Sequence, residues 1–500
     1  MLEAAGTAFQ TLMDPSRMGF LVAGVLMGLA LGAIPGLGGL VGLAILLPFT
    51  FNMDRYAAFA MMIGMASVIS SSDTIPSVLF AVPGSVAAQA TIMDGHPMAK
   101  RGEAGRAFGA AYMASLLGGL FGAVVLTLSI PILRPLVLAF GAPEFFMLGL
   151  LGLSMVSVLS GRAPIKGILA AAIGLLFGVV GMNPQSSELR WTFGWVYLLD
   201  GIPLVPLGLG IFAIPEIVDL MIKGTRIADV QMDTTKGVVQ GMRDVFRCWF
   251  LVLRSSAIGV WIGFLPGLGG GIVDWFAYGH ALQTEKGARD TFGKGDVRGV
   301  IAPESANNAK EGGALIPTIA FGVPGSISMA LLLGAFMIHG LTPGPDMLTK
   351  DLDVTFTLIW SLALANVFAT GLLLLLTKQL AKLTAVRIHV LAPLVIVITF
   401  LAAVQSSGTF NDVLTMLFFS VMGWIMKRFS WPRPPLVLGF VLSFIVENNL
   451  YIATRRYGMS WVTQPMVLII GFVLILSLVY SLVSLRRRDT GKGGPAPDDN

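Results

Sequence analysis

Thirteen apolar stretches follow one another along this chain, most of them near the roughly 20 residues a helix needs to cross a bilayer. They lie near 18–51, 56–92, 107–131, 143–160, 166–182, 202–222, 249–282, 300–338, 355–377, 389–404, 410–427, 435–453 and 465–485. Of all 500 residues 55% are hydrophobic and only 12% charged, about half the roughly 25% of a soluble protein. Too few polar residues remain to cover such a core, so lipid must surround most of the chain. Backbone groups find no water there, and every crossing is expected to be helical. The expected fold class is an all-α polytopic membrane protein with about 11 to 14 crossings or half-crossings. Four stretches (18–51, 56–92, 249–282 and 300–338) are too long for one straight span and carry Pro-Gly interruptions.

Those interruptions repeat. GLALGAIPGLGG (28–39) returns as GVWIGFLPGLGG (259–270), and IPSVLFAVPGS (75–85) returns as IPTIAFGVPGS (316–326), with seven identities in each pair. Basic residues orient the copies, because lysine and arginine collect on the cytoplasmic side. Lys100, Arg101 and Arg106, then Arg162 and Lys166, then residues 223–247 fall on one side, as do Lys378, Lys382, Arg387, Lys427 and Arg428. Arg455 and Arg456 fall outside, against the rule. The segment after the second PGS motif, 340–353, is acidic and reads as external, so the halves are expected to be inverted. Residues 1–222 form the first inverted repeat, 223–248 a cytoplasmic connection, 249–485 the second repeat and 486–500 a polar cytoplasmic tail. Inverted repeats with helices broken at matching positions mark secondary transporters, with the site at the repeat interface near mid-membrane.

Proline breaks the helical ladder, and glycine permits close backbone approach. A half-helix beginning at such a break turns a positive N-terminus toward a cavity, where it can hold a carboxylate. The candidate substrate contacts are therefore Pro35, Gly36, Gly38 and Gly39 with Pro83, Gly84 and Ser85, and their counterparts Pro266, Gly267, Gly269 and Gly270 with Pro324, Gly325 and Ser326. Polar residues at membrane depth are costly and line ion paths. Ser70, Ser71, Ser72 and Asp73 in one half, with Glu304, Asn307 and Asn308 in the other, are the candidate cation ligands. Amide, hydroxyl and freed carbonyl oxygens favour sodium over the proton, for which Asp73, Asp274, Glu304 and Glu447 are the candidates. His96-Pro97 reads as a turn in a cytoplasmic loop.

Other classes are poorly served. Cys248 is the single cysteine, so neither disulfide nor cysteine-based metal site is available, and the four scattered histidines have no ligand spacing. No GxxxxGK[ST], HExxH or GxSxG occurs. With Glu3 and Asp14 ahead of the first apolar run, no signal peptide is expected. No nucleic acid is an expected partner.

At PGLGGL (35–40), VPGS (82–85), DGHPMAKRGEAGRA (94–107) and FGKGDVRGVIAPESANNAKEGGALIPTIAFGVPGS (292–326), the chain resembles the TctA family, the large membrane subunit of tripartite tricarboxylate transporters. The resemblance spans nearly the whole chain. It implies carboxylate uptake across a bacterial inner membrane driven by a cation gradient, sodium or proton. It also implies two partners, a small four-helix TctB-like membrane subunit and a periplasmic TctC-like substrate-binding protein. The rivals are a membrane enzyme acting on a lipid-linked substrate, which would need a convergent catalytic constellation, and a passive anion channel.

Overall fold

The computed structural model describes residues 1–34, 38–85, 88–159, 164–183, 185–223, 234, 236–265, 270–384 and 388–476. In chain order the first helices are α1 (Leu2–Leu12), α2 (Pro15–Gly32), α3 (Gly38–Leu46), α4 (Arg55–Ser72), α5 (Thr74–Phe80), α6 (Gln89–Lys100) and α7 (Ala104–Leu138). Next come α8 (Ala142–Leu159), α9 (Pro164–Gly178), the hairpin strands β1 (Gly181–Met182) and β2 (Leu189–Arg190), α10 (Leu204–Gly208), α11 (Ile214–Lys223) and α12 (Val238–Arg247). The second copy of the repeat supplies α13 (Trp249–Phe264), α14 (Gly270–Thr284), α15 (Ala288–Thr291), α16 (Arg298–Phe321) and α17 (Ile327–Ile338). The chain then runs through α18 (Leu352–Thr384), α19 (Ile388–Ser407), α20 (Asn411–Arg428), α21 (Pro434–Tyr457) and α22 (Pro465–Leu476).

Among the described residues five spans are long and apolar enough to cross a membrane, or six if α12 and α13, bent by 79° where they meet, count as one broken span. Six shorter apolar helices of 10–17 residues also occur among the described residues. The chain is thus an all-α polytopic membrane protein. All four over-long stretches are divided at their motifs, as the Pro-Gly interruptions require: α2 from α3, α5 from α6, α13 from α14 and α16 from α17. His96 and Pro97 depart from expectation, since they lie inside α6. Proline costs that helix one ladder bond, and burial of Asp94, Met98 and Ala99 keeps it helical nonetheless. Part of the 223–248 connection is also helical, as α12.

Two compact units result, Met1–Leu138 with Ile202–Arg428, and Ala139–Gly201 with Phe429–Asn500. Both copies of the two motifs lie in the first unit, whereas 139–201 of the first expected repeat and 429–485 of the second fall in the second unit. In the second, Gly174 and Gly178 of α9 abut Leu436 and Ser443 of α21, and Arg190 pairs with Glu447 at 2.5 Å.

The repeat in the sequence is a repeat of contacts. Gly28 of α2 sits on the backbone of Met65, and its counterpart Gly259 of α13 sits on the backbone of Ala306, the residue matching Met65. One turn on, Gly32 meets Ile69 and Gly263 meets the matching Lys310. Gly84 rests on Asp73, and Gly325 on the matching Ala314. Both second motifs also end alike. Ala81 (φ 54°) and Gly322 (φ 66°) hold the left-handed cap, and the next amides, Val82 and Val323, donate to Pro76 and Pro317 carbonyls. Small residues four apart allow this approach where lipid offers no hydrophobic drive to pack helices.

Contacts at the helix ends order the two copies. Arg17 beside the start of α2 pairs with Asp54 at 2.8 Å, so α2 and α3 leave and return at one end. Arg254 near the start of α13 pairs with Glu285 at 2.5 Å, so α13 and α14 do the same. Arg55 at the start of α4 reaches Asp351 at 3.4 Å, and Gly344 donates to Ile319 at the end of α16. Arg101 at the end of α6 instead donates to Lys294, just ahead of α16, at 2.6 Å. The α4–α6 segment and α16 therefore run in opposite directions.

If glycine contacts set the helix spacing, Gly118→Leu should lower the melting temperature in detergent, because its Cβ would fall closer than 3.0 Å to the Ser305 backbone. Such overpacking costs about 1–3 kcal/mol or more. Gly371→Leu in α18, with nothing within 4 Å, should melt as wild type.

Candidate functional site

Helix α16 is buried from Gly299 to Ala320 although it carries Glu304, Ser305, Asn307, Asn308, Lys310 and Glu311. Such a helix survives in an apolar body only if its neighbours supply partners for these groups. Three clusters do so.

The first surrounds Glu304. Thr74 Oγ1 and Thr91 Oγ1 donate to its Oε1 at 2.9 and 2.7 Å, and Ser115 Oγ donates to Oε2 at 3.1 Å. The donors come from α5, α6 and α7. Next to Thr74, the fully buried Asp73 accepts the Ser85 hydroxyl on Oδ2, while its Oδ1 is buried without a partner among the described residues.

The second cluster is the crossing of α4 and α16. Ser70 Oγ donates to Asn308 Oδ1 at 3.0 Å. Asn308 Nδ2 donates to Ser71 Oγ at 2.7 Å and to Asn366 Oδ1 of α18 at 2.8 Å. One amide thus joins both copies of the repeat to a third helix. Ser72 faces elsewhere, donating to the Ile69 carbonyl at 3.2 Å and toward that of Gly28 at 3.4 Å. Asn307 is buried one residue from this hub. The third cluster, Lys310 with Glu311, is an ion pair of 2.8 Å.

The remaining candidates divide. Asp274 is buried and accepts the Ala90 amide at 2.9 Å, capping the start of α6. Ser326 caps α17 by accepting the Met329 amide at 3.3 Å. Pro83 and Gly84 lie in the turn with Ser85, and Pro324 and Gly325 in the turn with Ser326. Glu447 is taken up by Arg190 and, at 3.2 Å, Asn183. Gly38, Gly39 and Gly270 open α3 and α14. Pro35, Gly36, Pro266, Gly267 and Gly269 lie outside the described residues. Sequence reasoning missed Thr91, Ser115 and Asn366, although a lone asparagine in an apolar span was a usable signal.

Beside the start of α16 the two long motifs are clasped together. The buried Asp94 carboxylate accepts the amides of Gly293, Gly295 and Asp296 at 3.1, 2.8 and 2.7 Å and the Tyr278 hydroxyl at 2.9 Å. Burial pushes the Asp296 carboxyl up, but hydrogen bonds from Arg298 and Thr291 outweigh it and hold it below its ordinary value.

The model of the tripartite tricarboxylate transporter TctA family matches residues 18–438. This chain belongs to the TctA family. It is therefore a membrane subunit of a transporter family whose members work with further subunits. It is 30% identical over 503 residues, 97% of its own length and 98% of the relative's, to an uncharacterised 52.8 kDa protein in the TAR-I ttuC' 3'region of Agrobacterium vitis. A second uncharacterised Agrobacterium vitis protein, in the TAR-II ttuC' 3'region, is 30% identical over 231 residues, 45% of this TctA chain and 95% of that protein. No solved structure matches.

Replacing Asn308 by leucine would leave the hydrogen-bonding groups of Ser70, Ser71 and Asn366 short of a partner in a buried crossing. Each orphaned group costs about 1–3 kcal/mol. Asn308→Leu should therefore melt well below wild type in detergent, while Asn411→Leu, at the exposed start of α20, should not.

Proposed function

We propose that this TctA subunit carries organic acids, dicarboxylates or tricarboxylates, across a bacterial inner membrane by alternating access, coupled to a cation. Its working partners are a small TctB-like membrane subunit and a periplasmic TctC-like binding protein. The observation that carries the reading is the doubled contact pattern, Gly28 on Met65 and Gly259 on Ala306, in segments that run in opposite directions and meet at Asn308. Opposed copies around a central crossing are how an inverted repeat presents one site to either side of a membrane in turn. The joined polar segments around Arg101, Asp244 and Glu285 would then face the cytoplasm, following their excess of basic residues. A carrier accounts for the broken helices, where a membrane enzyme or passive channel would not require two.

For the coupling ion, sodium is favoured. Glu304 accepts three hydroxyl hydrogens, a pattern suited to an ionised carboxylate. No basic side chain bonds to it among the described residues, so a buried negative charge there calls for a counter-ion. Carboxylate and hydroxyl oxygens are the ligands a hard cation takes. Asp73, with one oxygen bonded to Ser85, lies one residue from Thr74 and supplies a second carboxylate. The substrate carboxylates would meet the helix N-termini that open at Gly38 and Gly270, since those of α6 and α17 are already capped.

Uptake of labelled citrate and succinate should rise with external sodium at fixed pH and membrane potential, and Glu304→Gln should abolish that dependence. Uptake indifferent to sodium but steep in a pH gradient would assign the coupling to the proton and make Glu304 and Asp73 its carriers.

A further inference from the structure

Lys310 is the only basic side chain among the buried residues described. It lies twelve residues into the 24-residue α16, about 18 Å along the axis from the helix start and midway along the helix. Its polar partner among the described residues is Glu311, at 2.8 Å. Neighbours in a helix do not face one another. The two side chains must therefore curl from different faces of α16 into the same space. Glu311 has its Oε2 buried there without a partner among the described residues, and both side chains are 9% exposed.

The surroundings are those of the repeat. The Lys310 carbonyl supports Gly263, in the last turn of α13 before the PGLGG break. Ala314, one turn along α16, supports Gly325 of the second VPGS turn. Both broken segments of the second copy thus converge on the turn that carries the charge. The matching residues of the first copy are Ile69 and Ser70, and Ile69 packs its side chain near Gly39. The charged pair is a feature of one copy only, as a single asymmetric ligand would require. A buried ion pair seldom repays its desolvation by stability alone, so stability is a weak reason for this one.

We propose that Lys310 is the cationic contact for one carboxylate of the transported acid, and that Glu311 is an internal carboxylate which holds the ammonium until substrate displaces it. The inference rests on the carboxylate-carrier reading above. The exchange conserves charge pairing at Lys310 throughout, and it gives discrimination against neutral solutes, which cannot compete with Glu311.

The test is counterflow by the full chain reconstituted in proteoliposomes with its TctB-like and TctC-like partners, with citrate, succinate and tartrate as probes. Two double variants remove the ambiguity of an orphaned charge: Lys310→Met with Glu311→Gln, which neutralises the pair, and Lys310→Glu with Glu311→Lys, which keeps a pair but moves the ammonium. Loss of one charge-assisted contact should raise half-saturation for the best probe roughly 10- to 100-fold in each. Glu311→Gln alone should lower it. Wild-type half-saturation in either double variant that melts as wild type would overturn the assignment and leave the pair structural. Should the wild-type protein exchange none of the probes, the carrier reading itself falls, an outcome separate from any variant's.

Discussion

A polar helix threaded through an apolar body is the constraint to which the first unit is built. Helix α16 brings Glu304, Asn308, Lys310 and Glu311 into surroundings where an unpaired charge or amide is costly. Two devices make it tolerable. Hydroxyls and amides from α4, α5, α6, α7 and α18 bond its side chains, and glycines on α7 and α13 let backbones close on its own. Gly118 meets Ser305, Gly122 meets Ala309, and Gly259 and Gly263 meet Ala306 and Lys310. With larger residues at those positions the helices would stand apart and the polar groups would lose their partners.

The same constraint explains why structure and function overlap here. Asn308 is both the hub joining the two copies and a candidate ion ligand, and its amide oxygen is already engaged by Ser70. Glu304 is better placed for a cation, since three hydroxyl oxygens surround it and its charge lacks a basic partner among the described residues. The repeat sets the scaffold, and its departures from symmetry place the buried charges. Asp73 matches Ala314, Glu304 matches Ile63, and Lys310 matches Ile69. These charged groups stand where one copy differs from the other.

Much of the fold could be read from residues alone because its signals are local. Each over-long stretch divides where proline stands directly before glycine, so the four stretches and their dividing points were legible, as was the repeat. Partners distant in sequence were not. Thr91, Ser115 and Asn366 lie 213, 189 and 58 residues from the groups they bond, within ordinary apolar helices. Nor could the second unit be foreseen, since it draws on residues 139–201 and 429–500, far apart in the chain and outside both motifs. The helical His96-Pro97 segment shows burial of a helix face overriding a local turn signal.

Alternating access around the crossing of α4 and α16 is the central claim, and thiol accessibility addresses it directly. Ser70 lies at that crossing and is 6% exposed. In a Cys248→Ser background, Ser70→Cys should react with a membrane-impermeant maleimide from one face of oriented vesicles when sodium alone is present. It should react from the opposite face when sodium and a transported carboxylate are both supplied. Labelling from the same face under every condition would contradict alternating access at this crossing.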